Sequence, residues 1–252
     1  MFKTFIYQPI FQSLVFLYDL LGGNLGLAII AITLIIRFVL VPLTLPSLRS
    51  AQKIKALKPK LDELKNKHKD DKVALQQAQL KLYQENNINP AAGCLPYILQ
   101  LVILIALYQV LIDLFNNGNI NGNAISPNFL WFNLTTPDTS YALPVIAGVT
   151  QLALALMILP GADTSAEKAL AATTKTKTDD KKAEDMTQMA ESMQKQMVII
   201  MPAMTFFIAL RFPSGLALYW IITTLFSIVQ QYYISGWGGL ISTYQTVKRK
   251  FS

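Results

Sequence analysis

Five stretches of the chain are apolar over a length that can cross a bilayer, at roughly residues 25–45, 94–112, 141–160, 197–212 and 216–234. At about 1.5 Å per residue, about 20 helical residues cover the roughly 30 Å hydrocarbon layer. The fourth stretch has 16 residues, so it needs its polar flanks or local thinning of the bilayer. Between the first two, Ile54, Leu57, Leu61 and Leu64 recur every three or four residues, and Leu75, Ala78 and Leu82 repeat the pattern. That period predicts two antiparallel helices with their leucine faces together, joined near Asp70-Asp71 and stopped by the run NNINP. Their other faces are charged or amide-bearing, so the pair should project into water as a hairpin. Residues 161–196 show no such period and predict a flexible loop, with Met186 to Met197 a helix leading into the fourth span. Residues 1–24 predict an amphipathic helix lying in the interface, with Phe11, Val15 and Tyr18, or Phe5, Ile6 and Ile10, on its apolar side.

Charge then orients these elements. Residues 47–85 carry ten Lys and Arg against five acids, residues 161–196 carry six lysines and seven acids, and Lys248, Arg249 and Lys250 close the tail. The connection 113–140 has no Lys or Arg. Basic loops stay on the cytoplasmic side. The pattern therefore predicts an all-α, polytopic membrane protein with five transmembrane helices, N-terminus out and C-terminus in. Its order is an interfacial helix at 1–24, a first span at 25–46 and a cytoplasmic two-helix hairpin at 47–90. Four further spans then fill 91–235, ahead of a cytoplasmic tail at 236–252. Only 15% of residues are charged, against about 25% in an average soluble domain, which agrees with this placement. One cysteine, Cys94, and one histidine, His68, leave no material for a disulfide framework, a cysteine- or histidine-ligated metal or a cysteine–histidine nucleophile pair. No nucleotide-binding loop is visible either, so neither a cofactor nor bond-breaking chemistry is expected.

Against that apolar background Arg37 stands out. Eight residues separate it from the cytoplasmic end of the first span, about 12 Å of helix, so it lies in the inner half of the hydrocarbon layer. An arginine at such depth costs at least about 2.5–3.5 kcal/mol on insertion scales. An internal ion pair would offset that, but the five spans contain no Asp, Glu or His. Thr33 lies one turn earlier on the same face. In the fifth span Trp220, Thr223, Thr224, Ser227, Gln230 and Gln231 form a polar stripe; Gln100 lies in the second span and Gln151, beside Thr150, in the third. Single polar residues are often only glue between helices. An unpaired arginine with a stripe fits a water-filled groove better, and the charge is then met by water, backbone carbonyls, lipid phosphate or a visiting partner.

The segments IIRFVLVPLT, NINPAAGCLPYILQLVILIALYQVL and MPAMTFFIALRFPSGLALYWIITTLFSIVQQYYI resemble the YidC/Oxa-type membrane protein insertases, in order, from about residue 7 to 235. The resemblance implies five core helices around a positively charged groove, open to cytoplasm and lipid and closed outside. It implies that Arg37 draws the short polar or acidic outer region of a nascent membrane protein partway into the bilayer. The client's apolar segment would then slide along the third and fifth spans into lipid. Thr33 and Arg37 fall on groove positions of the family, Trp220 in LYW matches an aromatic client contact, and Gln151 is a further match; Thr224 and Ser227 continue the stripe as groove candidates. The hairpin, with Lys53, Lys55, Lys58 and Lys65, would recruit clients. The implied setting is the bacterial cell membrane, without nucleotide hydrolysis, with nascent membrane proteins and lipid as partners and a Sec-type translocon and the ribosome as further candidates. The lipid-attachment cysteine of many Gram-positive members and the large outer domain of Gram-negative ones are not seen. Two rival readings are a small-molecule or ion transporter and a passive assembly scaffold. Missing intramembrane acids and the lack of an inverted repeat weigh against the transporter.

Overall fold

The computed structural model describes residues 2–68, 71–89, 95–120, 123–158 and 200–237, and these are helical for the most part. The expected loop at 161–196, the Met186 to Met197 helix, Cys94 and the tail from 238 onward lie outside them, as do the side chains of Lys55 and Lys58.

A π-helical turn, Lys3–Tyr7, runs into α1, Gln8–Leu20. The change of register falls just before Pro9, which has no N–H to give to an α-type bond. The face of α1 that packs inward is Ile10, Leu14, Leu17 and Tyr18, so each expected face contributes one residue and two further leucines complete it. Tyr7 donates to Asp113 across the packing at 2.5 Å. Burial, then that bond and the carboxylate's charge, push the Tyr7 phenol up to about 12.

Gly22 and Gly23, with φ +70° and +76°, end α1 and reverse the chain. Asn24 Oδ1 accepts from Leu27 N at 3.0 Å and caps α2, Leu25–Ala56. This helix does not stop at residue 46. It runs unbroken through Pro42 and Pro46 for 32 residues, so the first span and the start of the expected hairpin are one rod. The break comes at Leu57, ahead of Pro59 in α3, Lys58–Lys67. After it, α4 spans Lys72–Glu85 and is capped by Asp71, which accepts from Val73 N and Ala74 N. α3 and α4 pack together with Leu57 and Leu75 buried and Leu61, Leu64, Ala78 and Leu82 half-buried, as the leucine period required. α4 stops where NNINP begins: Asn87 takes φ +52° and Ile88 N donates to Tyr83 O at 2.9 Å.

α5, Leu95–Asn117, ends at Gly118. The connection after α5 then forms two small antiparallel hairpins, β1 (Asn119–Ile120) with β2 (Asn123–Ala124) and β3 (Asn128–Phe129) with β4 (Phe132–Asn133). The rest is helical: α6, Ala142–Ile158, then α7, Ile200–Ala209, and α8, Ser214–Ser235. Among the described residues, two helices, over Leu25–Ile54 and Ile98–Asn117, are long and apolar enough to cross a membrane, while α6 and α7 are shorter apolar helices. α8 has the length, but its hydroxyl and amide stripe leaves it less apolar.

The connection 123–141 is stitched to the start of α8 and to α6. Ser214 N and Oγ donate to Thr136 O at 2.9 and 2.8 Å, and Gly215 N to Leu134 O at 3.0 Å. Asp138, buried at 7% exposure, accepts from Ser140 N, Ser140 Oγ and Leu143 N at 2.9, 2.6 and 2.8 Å, which caps α6. Burial opposes ionisation, yet the Ser140 hydroxyl and the Leu143, Ser140 and Ala142 backbone donors outweigh it and hold the carboxyl below its ordinary value. The folded form therefore gains stability from Asp138 above the unfolded carboxyl range. That gain disappears as pH falls through the lowered folded value. Asp138→Ala is expected to cost about 2 kcal/mol as a lost cap. Melting curves in detergent check both points: the acid-side fall in stability shrinks in the variant.

Candidate functional site

The helix α2 carries Arg37 on the side that faces α5. Arg37 Nη2 donates to Gln100 Oε1, and Gln100 Nε2 donates in turn to the Tyr219 hydroxyl at 2.7 Å. Three helices, α2, α5 and α8, thus meet through one arginine, one amide and one phenol. Tyr219 is 2% exposed, whereas Arg37 and Gln100 are half-buried. A guanidinium has five N–H donors and no acceptor. The Gln100 oxygen takes one donor and carries no charge, and no carboxylate among the described residues lies within ion-pair distance of Arg37. The positive charge is oriented without being neutralised.

A second polar cluster lies between α6 and α8. Thr224 Oγ1 donates to Trp220 O at 2.9 Å and lies 3.4 Å from Gln151 Oε1. Trp220 and Gln151 are half-buried and Thr224 is buried. Ser227, one turn further, gives its hydroxyl to Thr223 O at 2.9 Å on its own helix. Thr33 is 1% exposed and its hydroxyl returns to Ile29 O at 2.6 Å, so it packs inside the helix cluster. Toward the far end of α2, Gln230 Nε2 donates to Thr44 Oγ1 at 3.1 Å, and Gln52 Nε2 to Ile234 O and Ser235 Oγ at 2.5 and 2.7 Å. These bonds tie α2 to α8 below the arginine.

Of the expected groove residues, the structure therefore joins Gln151, Thr224 and Trp220 in one cluster and places Arg37 in another, with α8 common to both. Sequence reasoning missed Tyr219 and left Gln100 as one polar residue among several. A signal existed for each: a buried phenol needs a partner for its hydroxyl, and Gln100 was the one amide noted on the second span. Replacing Gln100 with Leu is expected to lower stability by about 1 kcal/mol, since it strands both Arg37 and Tyr219. Thermal unfolding in detergent checks it, and Tyr219→Phe should cost less because it removes one bond only. Lys53, expected on the hairpin, is instead exposed on the last turns of α2, which run on to Ala56, and Lys65 on α3 pairs with Asp62 at 3.8 Å, a surface contact of small energy.

A family described as "60Kd inner membrane protein" matches residues 16–238. The chain belongs to this family of membrane proteins. It is 36% identical over 234 residues to a protein named Membrane protein insertase YidC of Fusobacterium nucleatum subsp. nucleatum, covering 92% of this chain and 97% of that protein. It is 33% identical over 237 residues to Membrane protein insertase MisCA of Bacillus subtilis (strain 168), covering 92% of this chain and 78% of the relative. Among solved structures it resembles the crystal structure of an active YidC insertase with the first transmembrane domain resolved. The TM-score is 0.57 at 29% identity over 90% of this chain, which spans 46% of that one.

Proposed function

We propose that this chain is a membrane protein insertase. It crosses the membrane five times, through α2, α5, α6, the segment containing α7, and α8, with its N-terminus outside and its C-terminus in the cytoplasm. It takes nascent membrane proteins as clients, and the bilayer is its working medium. The cytoplasmic hairpin α3–α4 receives them, and a Sec-type translocon and the ribosome are candidate suppliers. Arg37 offers a fixed positive charge to the client's polar outer tail. A charge in a medium of low dielectric attracts an acidic segment more strongly than the same charge in water. The driving force is the client's own apolar surface, about 25 cal/mol for each Å² removed from water, so no nucleotide hydrolysis is needed.

The observation that carries this reading is the Arg37 guanidinium held by a neutral amide, with no acid beside it among the described residues. The Gln100 bond also favours the scaffold reading, because it gives the arginine a structural partner. A scaffold has no use for the remaining unpaired charge. The test is complementation: in cells depleted of their own insertase, this chain should restore insertion of a single-span client with an acidic outer tail. Full membrane levels of the chain with no client insertion would overturn the proposal.

A further inference from the structure

The hairpin β3–β4 turns through two residues, Leu130 and Trp131, with Phe129 paired to Phe132 across it. Two-residue turns of this kind favour Asn-Gly, because they need positive φ. Here Leu130 holds φ +54°, a conformation disfavoured for a bulky side chain. Three non-glycine residues among those described have positive φ: Asn87, Leu130 and Tyr141. Asparagine adopts it readily. The other two are large, lie on the outer rim and are open, with Leu130 74% exposed, Trp131 58% and Tyr141 61%. A tip in water gains nothing from either leucine or tryptophan at these places.

The tip is also held in one orientation. Phe129 is buried over Gly26, Phe132 meets it edge-on at 5.7 Å, and Trp131 meets Phe132 edge-on at 5.3 Å. Leu130 and Trp131 line a surface hollow of about 420 Å³ with Pro137, Asp138, Thr139 and Ser140, the residues that lead into Tyr141 and α6. The exposed apolar face of α6, Val145 and Val149, continues from there. The outer connection has no Lys or Arg, so attraction to anionic headgroups is not what would seat it.

We propose that the Leu130–Trp131 tip, with Tyr141, sits in the headgroup boundary of the outer leaflet and fixes how deep α6 lies. Tryptophan and tyrosine favour that layer, where an apolar ring and a polar N–H or O–H are both satisfied. The proposal rests on the reading of α6 as a membrane span with its N-terminal end outside. A single-tryptophan chain, Trp220→Phe with Trp237→Phe, reports on Trp131 in phosphatidylcholine vesicles. Lipids brominated near the headgroup should lower its emission by about half, while acrylamide in the water quenches it weakly, as for a residue in the interfacial belt. Adding anionic lipid should not change this. A chain carrying Val149→Trp with all three native tryptophans replaced by Phe reports on α6 itself. Quenching at 149 with none at 131 would overturn the anchor alone; quenching at neither would overturn both the anchor and the span. Leu130→Cys in a Cys94→Ser chain gives a second readout. Modification by a water-soluble maleimide as fast as that of a free peptide thiol would place the tip in water and overturn the anchor.

Discussion

Arg37→Ala is expected to abolish most insertion of a single-span client with an acidic outer tail, and Arg37→Lys to restore it. Lysine keeps the charge at nearly the same depth and can still donate to the Gln100 oxygen that now holds the guanidinium. Alanine removes the charge and leaves Gln100 bonded to Tyr219 alone. Two unit charges about 4 Å apart attract by about 4 kcal/mol at an effective dielectric near 20. If half of that acts at the entry step, its loss slows entry by about thirtyfold. A client whose outer tail is neutral should lose little. Insertion is measured by protection of the translocated tail, with equal membrane levels of each variant. An alanine variant that inserts acidic-tailed clients as fast as the wild type would sink the electrostatic account. Failure of lysine together with alanine would instead point to the planar fork of the guanidinium and its bond to Gln100.

Gly26→Val has the largest expected effect on stability. Any Cβ at position 26 overlaps the ring of Phe129, beginning at the ring atom bonded to its side-chain stem. The ring cannot retreat by bending a flexible end. It is buried, packed edge-on by Phe132, and carried on the hairpin whose following residues bind the start of α8. Valine must therefore displace the hairpin from α2 or expel the ring, at about 3 kcal/mol. For a chain of this size that lowers the melting temperature by about 10 °C. Adding Phe129→Ala should return part of the loss, because the ring that valine strikes is gone. Melting of Gly26→Val at the wild-type temperature would mean that the ring does not rest on the glycine.

What the sequence made legible follows the strength of local rules. The leucine period of 54–82 and the stop at NNINP depend on neighbours a few residues apart, and both appear where local chemistry puts them. Arg37 was conspicuous because a charge in an apolar run is rare. Its partner was not, since Gln100 lies 63 residues away and a search for neutralising acids passes over a neutral amide. Tyr219 was hidden by its neighbour: Trp220 shares the stripe with Thr223, Thr224 and Ser227, whereas Tyr219 turns toward α5. The two β-hairpins escaped notice because two-residue strands have too short a period to read. The end of α2 was placed ten residues early, because the apolar run ends at residue 46 while the helix runs on past Pro46 through the polar stretch 47–56.

Those prolines have a mechanical consequence. Each lacks the N–H that would have bonded the carbonyl four residues back, so Phe38 O and Pro42 O are released in successive turns between Arg37 and the hairpin. What holds this section is lateral: Thr44 is bonded to Gln230, and Gln52 to Ile234 and Ser235, all on α8. A pull on α3–α4 would therefore pass sideways into α8 before it reached Arg37. The arginine would keep its register, like an electrode whose lead is clamped along its length.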